Sequence, residues 1–258
     1  MHYCNFLPQR LLLSASLRYG TEWLSNGFAL SEDLPLVDIE FSPPGRLAMD
    51  NQRAVGAVDG ARPDQWGEKV IRFVVKPSRL SLMEYFYYAG DDRFGALGVS
   101  TSASEYCPHD VSPLPRLGDV QQLSEVAAKI EASEPISALE AQIIRTGGSL
   151  GGAKLKALID IRGEQWVIKF FNGEPVDTPL IEHATMTLAK RAGITTAETQ
   201  VIKLAGANAI AVRRFDRISG KRLHSISAGT AIRAATASDG EPGIGYPELA
   251  RILPPYGL

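Results

Sequence analysis

Two lysines and a glycine turn are the residues of this chain whose types and spacing best suit chemistry. The run Ser149-Leu150-Gly151-Gly152-Ala153-Lys154-Leu155-Lys156 is followed, thirteen residues after Lys156, by Lys169 in Trp166-Val167-Ile168-Lys169-Phe170. A small glycine-bearing turn lets backbone N–H groups approach phosphate oxygens, and a strand-borne lysine fixes an ammonium beside them. The chemistry would be the gripping of a nucleotide's phosphates. The same residues also suit a plain helix-to-strand turn and an edge-strand lysine reaching for solvent. Glu182, near the start of the next helix, either complements the helix dipole or pairs with Lys169. Arg213, Arg214 and Phe215, followed by Asp216-Arg217, close the last strand. Backbone groups there could meet an adenine edge. Alternatively the charges form an internal Asp216–Arg214 or Asp216–Arg217 pair, worth under about 1 kcal/mol if exposed.

Other chemistry is thinly provided. The four histidines, His2, His109, His183 and His224, are not at metal-ligand spacing, so no metal site is expected. No nucleophile elbow, zinc motif or dinucleotide fingerprint is present. Past Arg217 the chain holds one aspartate, Asp239, and no asparagine. A net charge of −2 gives no global attraction to nucleic acid or to anionic membrane. Cys4 and Cys107 fit neither a disulfide framework nor a metal, which points to a reducing, cytoplasmic compartment. The apolar stretch over residues 11–17 is interrupted by Ser14, Ala15 and Ser16; it cannot span a bilayer and reads as a buried strand.

The elements that must position these residues follow from pattern and punctuation. Residues 28–30 and 34–41 read as strands among prolines and glycines. Trp66, Val70 and Phe73 share one helical face after the start signals Pro63 and Asp64. Ser81 with Glu84, and Ser137 with Glu140, match capping boxes heading two further helices, the first ending at Gly90. Residues 108–118 carry Pro108, Pro113, Pro115 and Gly118 and read as a linker. Residues 123–132 are helical. Strands are expected over 156–161 and 165–171 with a turn at Arg162-Gly163, then a helix over 180–192, then strands over 198–204 and 209–215. Hairpin, helix, hairpin builds a small antiparallel sheet with one helix on it.

With these pieces in order the chain resembles the HipA-like serine/threonine kinases, the toxin halves of bacterial toxin–antitoxin pairs. The resemblance runs through Leu17 to Leu24, Leu30 to Leu36, Arg62 to Gly67 and Ala89 to Leu97. It continues in Ser149 to Lys156, Trp166 to Phe170, Glu182 to Ile194, Val212 to Arg217 and Leu223 to Ala228. It implies an α+β, protein-kinase-type fold. Residues 1–112 would be an amino-terminal subdomain. Residues 113–258 would be a nucleotide-binding small lobe and the start of a helical lobe, the rest of that lobe being absent.

The resemblance also implies roles. Leu150, Gly151, Gly152, Ala153, Lys154, Leu155 and Lys156 would be the phosphate loop, Lys169 with Glu182 the ATP lysine and its carboxylate, and Arg213, Arg214 and Phe215 the hinge meeting adenine. Ser149 matches the serine that relatives autophosphorylate, which ejects the loop. Relatives phosphorylate an aminoacyl-tRNA synthetase and are held inactive by a DNA-binding, HipB-like antitoxin, so DNA would be met only through that partner. The family's catalytic aspartate, and the asparagine and aspartate that hold magnesium, lie beyond the segment matching residues 240–253. No catalytic or Mg2+-binding residue is therefore assigned, and the isolated chain is expected to bind ATP weakly and to transfer no phosphate. A non-catalytic antitoxin-binding module, half of a split kinase and a decayed fragment are the other readings. Leu249, Ile252 and Leu253 would face water on an open edge, predicting self-association or a partner.

Overall fold

Local hydrogen bonds, more than strand pairing, shape the amino-terminal part. The computed structural model describes residues 15–43, 54–76, 80–109, 113–145, 154–236 and 244–253. β1 (Leu17–Arg18) and β2 (Glu40–Phe41) form a two-residue antiparallel ribbon, and α1 (Thr21–Asn26) intervenes. The strands expected over 28–30 and 34–41 reduce to Glu40–Phe41 alone. Successive i to i+2 bonds explain why: the Val37 N–H donates to Pro35 O and the Ile39 N–H to Val37 O, so these donors are spent locally. Phe28 is drawn off by Trp23, whose Nε1 donates to Phe28 O at 2.9 Å while the rings meet at 4.9 Å. Of the strand expected over 11–17, residues 11–14 lie outside the described residues and Leu17 opens β1.

The capping signals hold. α2 (Gly56–Gly60) is followed by α3 (Gln65–Val75), whose N-cap Asp64 accepts the Gly67 N–H at 2.8 Å. α4 (Leu82–Tyr88) and, later, α6 (Ala138–Ile144) each carry the reciprocal serine–glutamate box. α4 ends one residue before Ala89, and Gly90 then takes the left-handed conformation (φ 72°) that a glycine supplies at low cost.

Between α4 and the sheet, the segment expected as a linker is tied down where it is described. The Asp160 N–H donates to Pro115 O at 2.7 Å, and Arg116 forms a parallel bridge with Asp160. The reason is that β3 is a sheet edge with unpaired backbone groups to offer.

The sheet is built from alternation. After α5 (Val120–Glu131) and α6 come β3 (Lys156–Ile161) and β4 (Glu164–Phe170), joined by Arg162 and Gly163, both at positive φ as a two-residue hairpin turn requires. α7 (Thr178–Arg191) leads into β5 (Thr199–Lys203) and β6 (Asn208–Arg213), and the order is β3-β4-β6-β5, antiparallel throughout. Ala157, Ile159, Trp166, Ile168, Phe170 and Ala211 form a dry face. Val120, Leu123, Val126 and Ile130 of α5 pack on it at helical spacing, with Ile144 of α6. Trp66 and Val70 of α3 belong to the same cluster, so the amino-terminal part and the sheet share one core. The opposite face, by alternation, carries Lys156, Leu158, Lys169 and Ile210.

A ribbon of β7 (Arg217–Ile218) and β8 (Lys221–Arg222) follows, then α8 (Ala228–Ala235), capped by Ser227, and α9 (Tyr246–Ile252). Of the apolar residues expected to face water, Leu253 is exposed while Leu249 and Ile252 are half-buried. Among the described residues no helix is long and apolar enough to cross a membrane.

Candidate functional site

Lys169 lies on β4, between β3 and β6, opposite Lys156 on one side and Ile210 on the other. It is therefore a central-strand residue, against the alternative of an edge-strand lysine. Its Nζ donates to Glu182 Oε1 at 2.5 Å, each side chain being about a third exposed. The helix is set to deliver that carboxylate. Asp177 caps α7 by accepting the Leu180 N–H at 2.9 Å, Pro179 pre-forms the first turn, and Asn208 at the start of β6 donates its side-chain amide to Asp177. A pair this exposed contributes under about 1 kcal/mol to folding, so its ammonium can turn to an anion at small cost.

Ser149, Leu150, Gly151, Gly152 and Ala153 lie outside the described residues. The rest of the expected phosphate loop divides three ways. Lys154 is exposed and pairs with Glu174 at 3.4 Å. Leu155 is in the core, and its carbonyl accepts the Phe170 N–H at 3.0 Å. Lys156 is buried: its Nζ donates to Asp64 Oδ2 at 3.2 Å, and its carbonyl accepts Trp66 Nε1 at 2.9 Å. Burial holds that ammonium below the ordinary lysine range, with Asp64 opposing the shift. The structure thus places the Lys156 ammonium at the N-cap of α3, beside Asp64.

At the strand end, Arg213 pairs with Glu164 and, at 3.6 Å, with Glu198, while its N–H donates to Glu198 O at 2.9 Å. The Arg214 N–H donates to Gln165 O at 3.1 Å. Phe215 is 61% exposed and meets Phe94 edge-on at 5.6 Å. The pairs considered for a solvated strand terminus both exist, yet the Arg214–Asp216 pair is buried, each side chain 2% exposed. Asp216 accepts from Arg214 Nε and Nη2 at 2.9 and 2.7 Å, from Arg217 Nη1 at 2.9 Å and from the Gly95 N–H at 2.8 Å. Burial alone would raise its carboxyl, but Arg214, the Gly95 N–H and Arg217 outweigh burial and hold it below the ordinary carboxylate range.

Asp92, Arg93, Gly95 and Gln165 were therefore missed as neighbours of the strand end. The only signal was the opposite charge of two short segments, and these stand 121 residues apart. Close by, Arg222 and Tyr106 both donate to Asp91. Burial pulls the Arg93 guanidinium down to about 10; its Nη2 donates to Phe86 O at 2.6 Å and Gly90 O at 2.7 Å.

The described histidines have structural partners. His183 Nδ1 bonds Thr199 Oγ1 at 2.8 Å, and His224 Nε2 bonds Leu30 O at 2.7 Å. Among the described residues no three His, Cys, Asp or Glu side chains converge as a metal site would need.

Comparison with known proteins places this geometry. Residues 148–257 match the sequence profile of the HipA-like C-terminal domain. No curated protein matches the sequence. Among solved structures the chain is similar to HipA of Shewanella oneidensis MR-1, determined as a toxin–antitoxin complex with HipB and operator DNA. The two share 19% identity at a TM-score of 0.53, over 84% of this chain and 50% of that one. The chain thus spans about half the length of the HipA chain it matches. Residues 148–257 thus match a HipA-like C-terminal domain, and the fold of the chain is similar to that of HipA.

Proposed function

We infer that this chain supplies the nucleotide-gripping part of a HipA-like serine/threonine kinase toxin of a toxin–antitoxin system, working in the cytoplasm. The observation that carries the reading is the Lys169–Glu182 pair: a central-strand ammonium held at 2.5 Å by a carboxylate one turn into the adjoining helix. Such a pair aims a cation at phosphate oxygens. The donor set fits ATP. Lys169 would meet the phosphates, Glu182 would orient Lys169, the loop of residues 150–156 would supply backbone donors, and the backbone of Arg213–Phe215 would face the base. Bound ATP would supply the transferable phosphoryl group. Ser149 is the candidate acceptor hydroxyl, and a phosphate there would add a near-dianion beside the loop. No residue is assigned to magnesium or to catalysis, and the isolated chain is proposed to bind ATP without transferring its phosphate.

An ATP titration of the purified chain, with and without magnesium, tests the reading. Weak, magnesium-independent binding that falls about tenfold or more in Lys169→Ala is the expected result. Binding that ignores the substitution, or no binding at all, would overturn it. Phosphate appearing on Ser149 of the pure chain would overturn the absence of transfer.

A second role is favoured by the HipA structure with HipB and operator DNA. The chain would engage a HipB-like antitoxin and reach DNA only through it. Co-purification with a small helix-turn-helix protein is expected, and its failure would count against this role. A complementing kinase half and self-association are the remaining proposed partners, the latter read out by sedimentation.

A further inference from the structure

The end of β6 poses a mechanical problem. Ladder pairing stops at Trp166 opposite Arg213, and one further bond joins the Arg214 N–H to Gln165 O. Pairing resumes only in the β7–β8 ribbon, where the Leu223 N–H donates to Asp216 O. The backbone of residues 214–216 therefore crosses a gap between two ladders, with its course left to side chains.

Those side chains converge on one segment of the amino-terminal part. Arg214 Nη1 donates to Asp92 O at 2.7 Å, and Arg214 Nη2 to Arg93 O at 2.9 Å. Arg217 donates to Arg93 O at 2.7 Å and Gly95 O at 2.9 Å. Asp216 closes the set by accepting the Gly95 N–H and both arginines. Gly95 has room for this only as glycine: its φ is +76°, and a Cβ would lie 2.7 Å from Ser225 O. Gln165 adds an outer link, accepting from Arg214 Nη1 at 3.2 Å and donating to Asp92 Oδ1 at 2.9 Å.

We propose that Asp216 is a positioning residue, clamping residues 92–95 to the strand end so that the Arg213–Phe215 backbone is held in the conformation that recognises a purine base. This rests on the nucleotide reading and deepens it: base recognition depends on the amino-terminal part, whereas phosphate gripping by Lys169 does not. Removing the clamp should then weaken a ligand that has a base and spare one that lacks it.

The test uses the full chain, Asp216→Asn and the milder Gln165→Ala, with ATP and inorganic tripolyphosphate as probes and amide hydrogen exchange as the ligand-free readout. In Asp216→Asn, ATP affinity is expected to fall about tenfold with tripolyphosphate affinity unchanged within about twofold, and Gln165→Ala to show the same split at about threefold. Exchange should quicken at 92–95 and 213–217 together, and by more than in β3 and the first half of β4. A parallel loss of both ligands, or exchange quickened equally throughout the sheet with no excess at 92–95 and 213–217, would make Asp216 a general stability residue and overturn the proposal. So would unchanged ATP affinity. If the unsubstituted chain binds neither probe, the nucleotide reading itself fails, and the exchange pattern still decides whether the clamp exists.

Discussion

Two ion-pair regions bracket the sheet, and they are opposites in design. Lys169 and Glu182 meet at 2.5 Å with a third of each side chain in contact with solvent. Arg214 and Asp216 meet at 2.7 Å with almost none. Distance alone would rank them as equals; burial separates them. In water-accessible surroundings Coulomb attraction is screened and side-chain entropy opposes it, so the first pair is an adjustable contact. In the dry site each charge has lost its hydration, so each must keep all its partners, and the second cluster is a fixed joint. The exposed pair is suited to meeting a ligand, the buried one to holding backbone.

The comparison breaks most visibly at Asp216. Asp216→Ala strands Arg214 and Arg217 without their carboxylate, and a loss of about 3–5 kcal/mol in chemical denaturation is expected, as for one partner of a buried pair. Lys169→Ala should cost under about 1 kcal/mol in the same experiment. Equal losses at both positions would erase the distinction.

Asp64→Ala comes next. It removes both the N-cap of α3 and the partner of buried Lys156. A loss of about 1–3 kcal/mol is expected, and Asp64→Asn should recover the capping share only.

Acid titration sharpens the contrast without magnitude. The folded state holds the Asp216 carboxyl below its ordinary range. Its contribution is therefore complete above the unfolded carboxylate value of about 4, and is lost as pH falls through the lower folded value. Stability followed against pH should drop through that acid window in the natural sequence, and less steeply in Asp216→Asn.

The smallest effect belongs to Arg213, whose pairs with Glu164 and Glu198 are largely exposed. Arg213→Ala should change stability by under about 1 kcal/mol, less still in high salt.

Much of this architecture was legible from neighbours in the chain. Capping at Ser81 and Ser137, the Arg162-Gly163 turn and the alternation in β3 and β4 depend on residues within a few positions of one another, so a linear reading finds them. The Lys169–Glu182 pair was also within reach, because one strand and the next helix span only 13 residues. Strands over 28–41 failed because a pattern of apolar residues does not report whether a backbone partner exists, and i to i+2 bonds took the donors instead.

What the amino-acid order determined by itself is thus the caps, the hairpin turn and the alternating strands of the sheet, with a strand lysine within reach of a helix carboxylate. The tertiary structure alone decided which charges are dry. Lys154 and Lys156 are two residues apart and look interchangeable in the chain, yet one is solvated and the other is sealed against Asp64, 92 residues away. Asp216 looked like a solvated strand terminus until residues 92–95 were folded over it. Solvation is a property of what surrounds a group in space, and the strength of a charge follows its solvation.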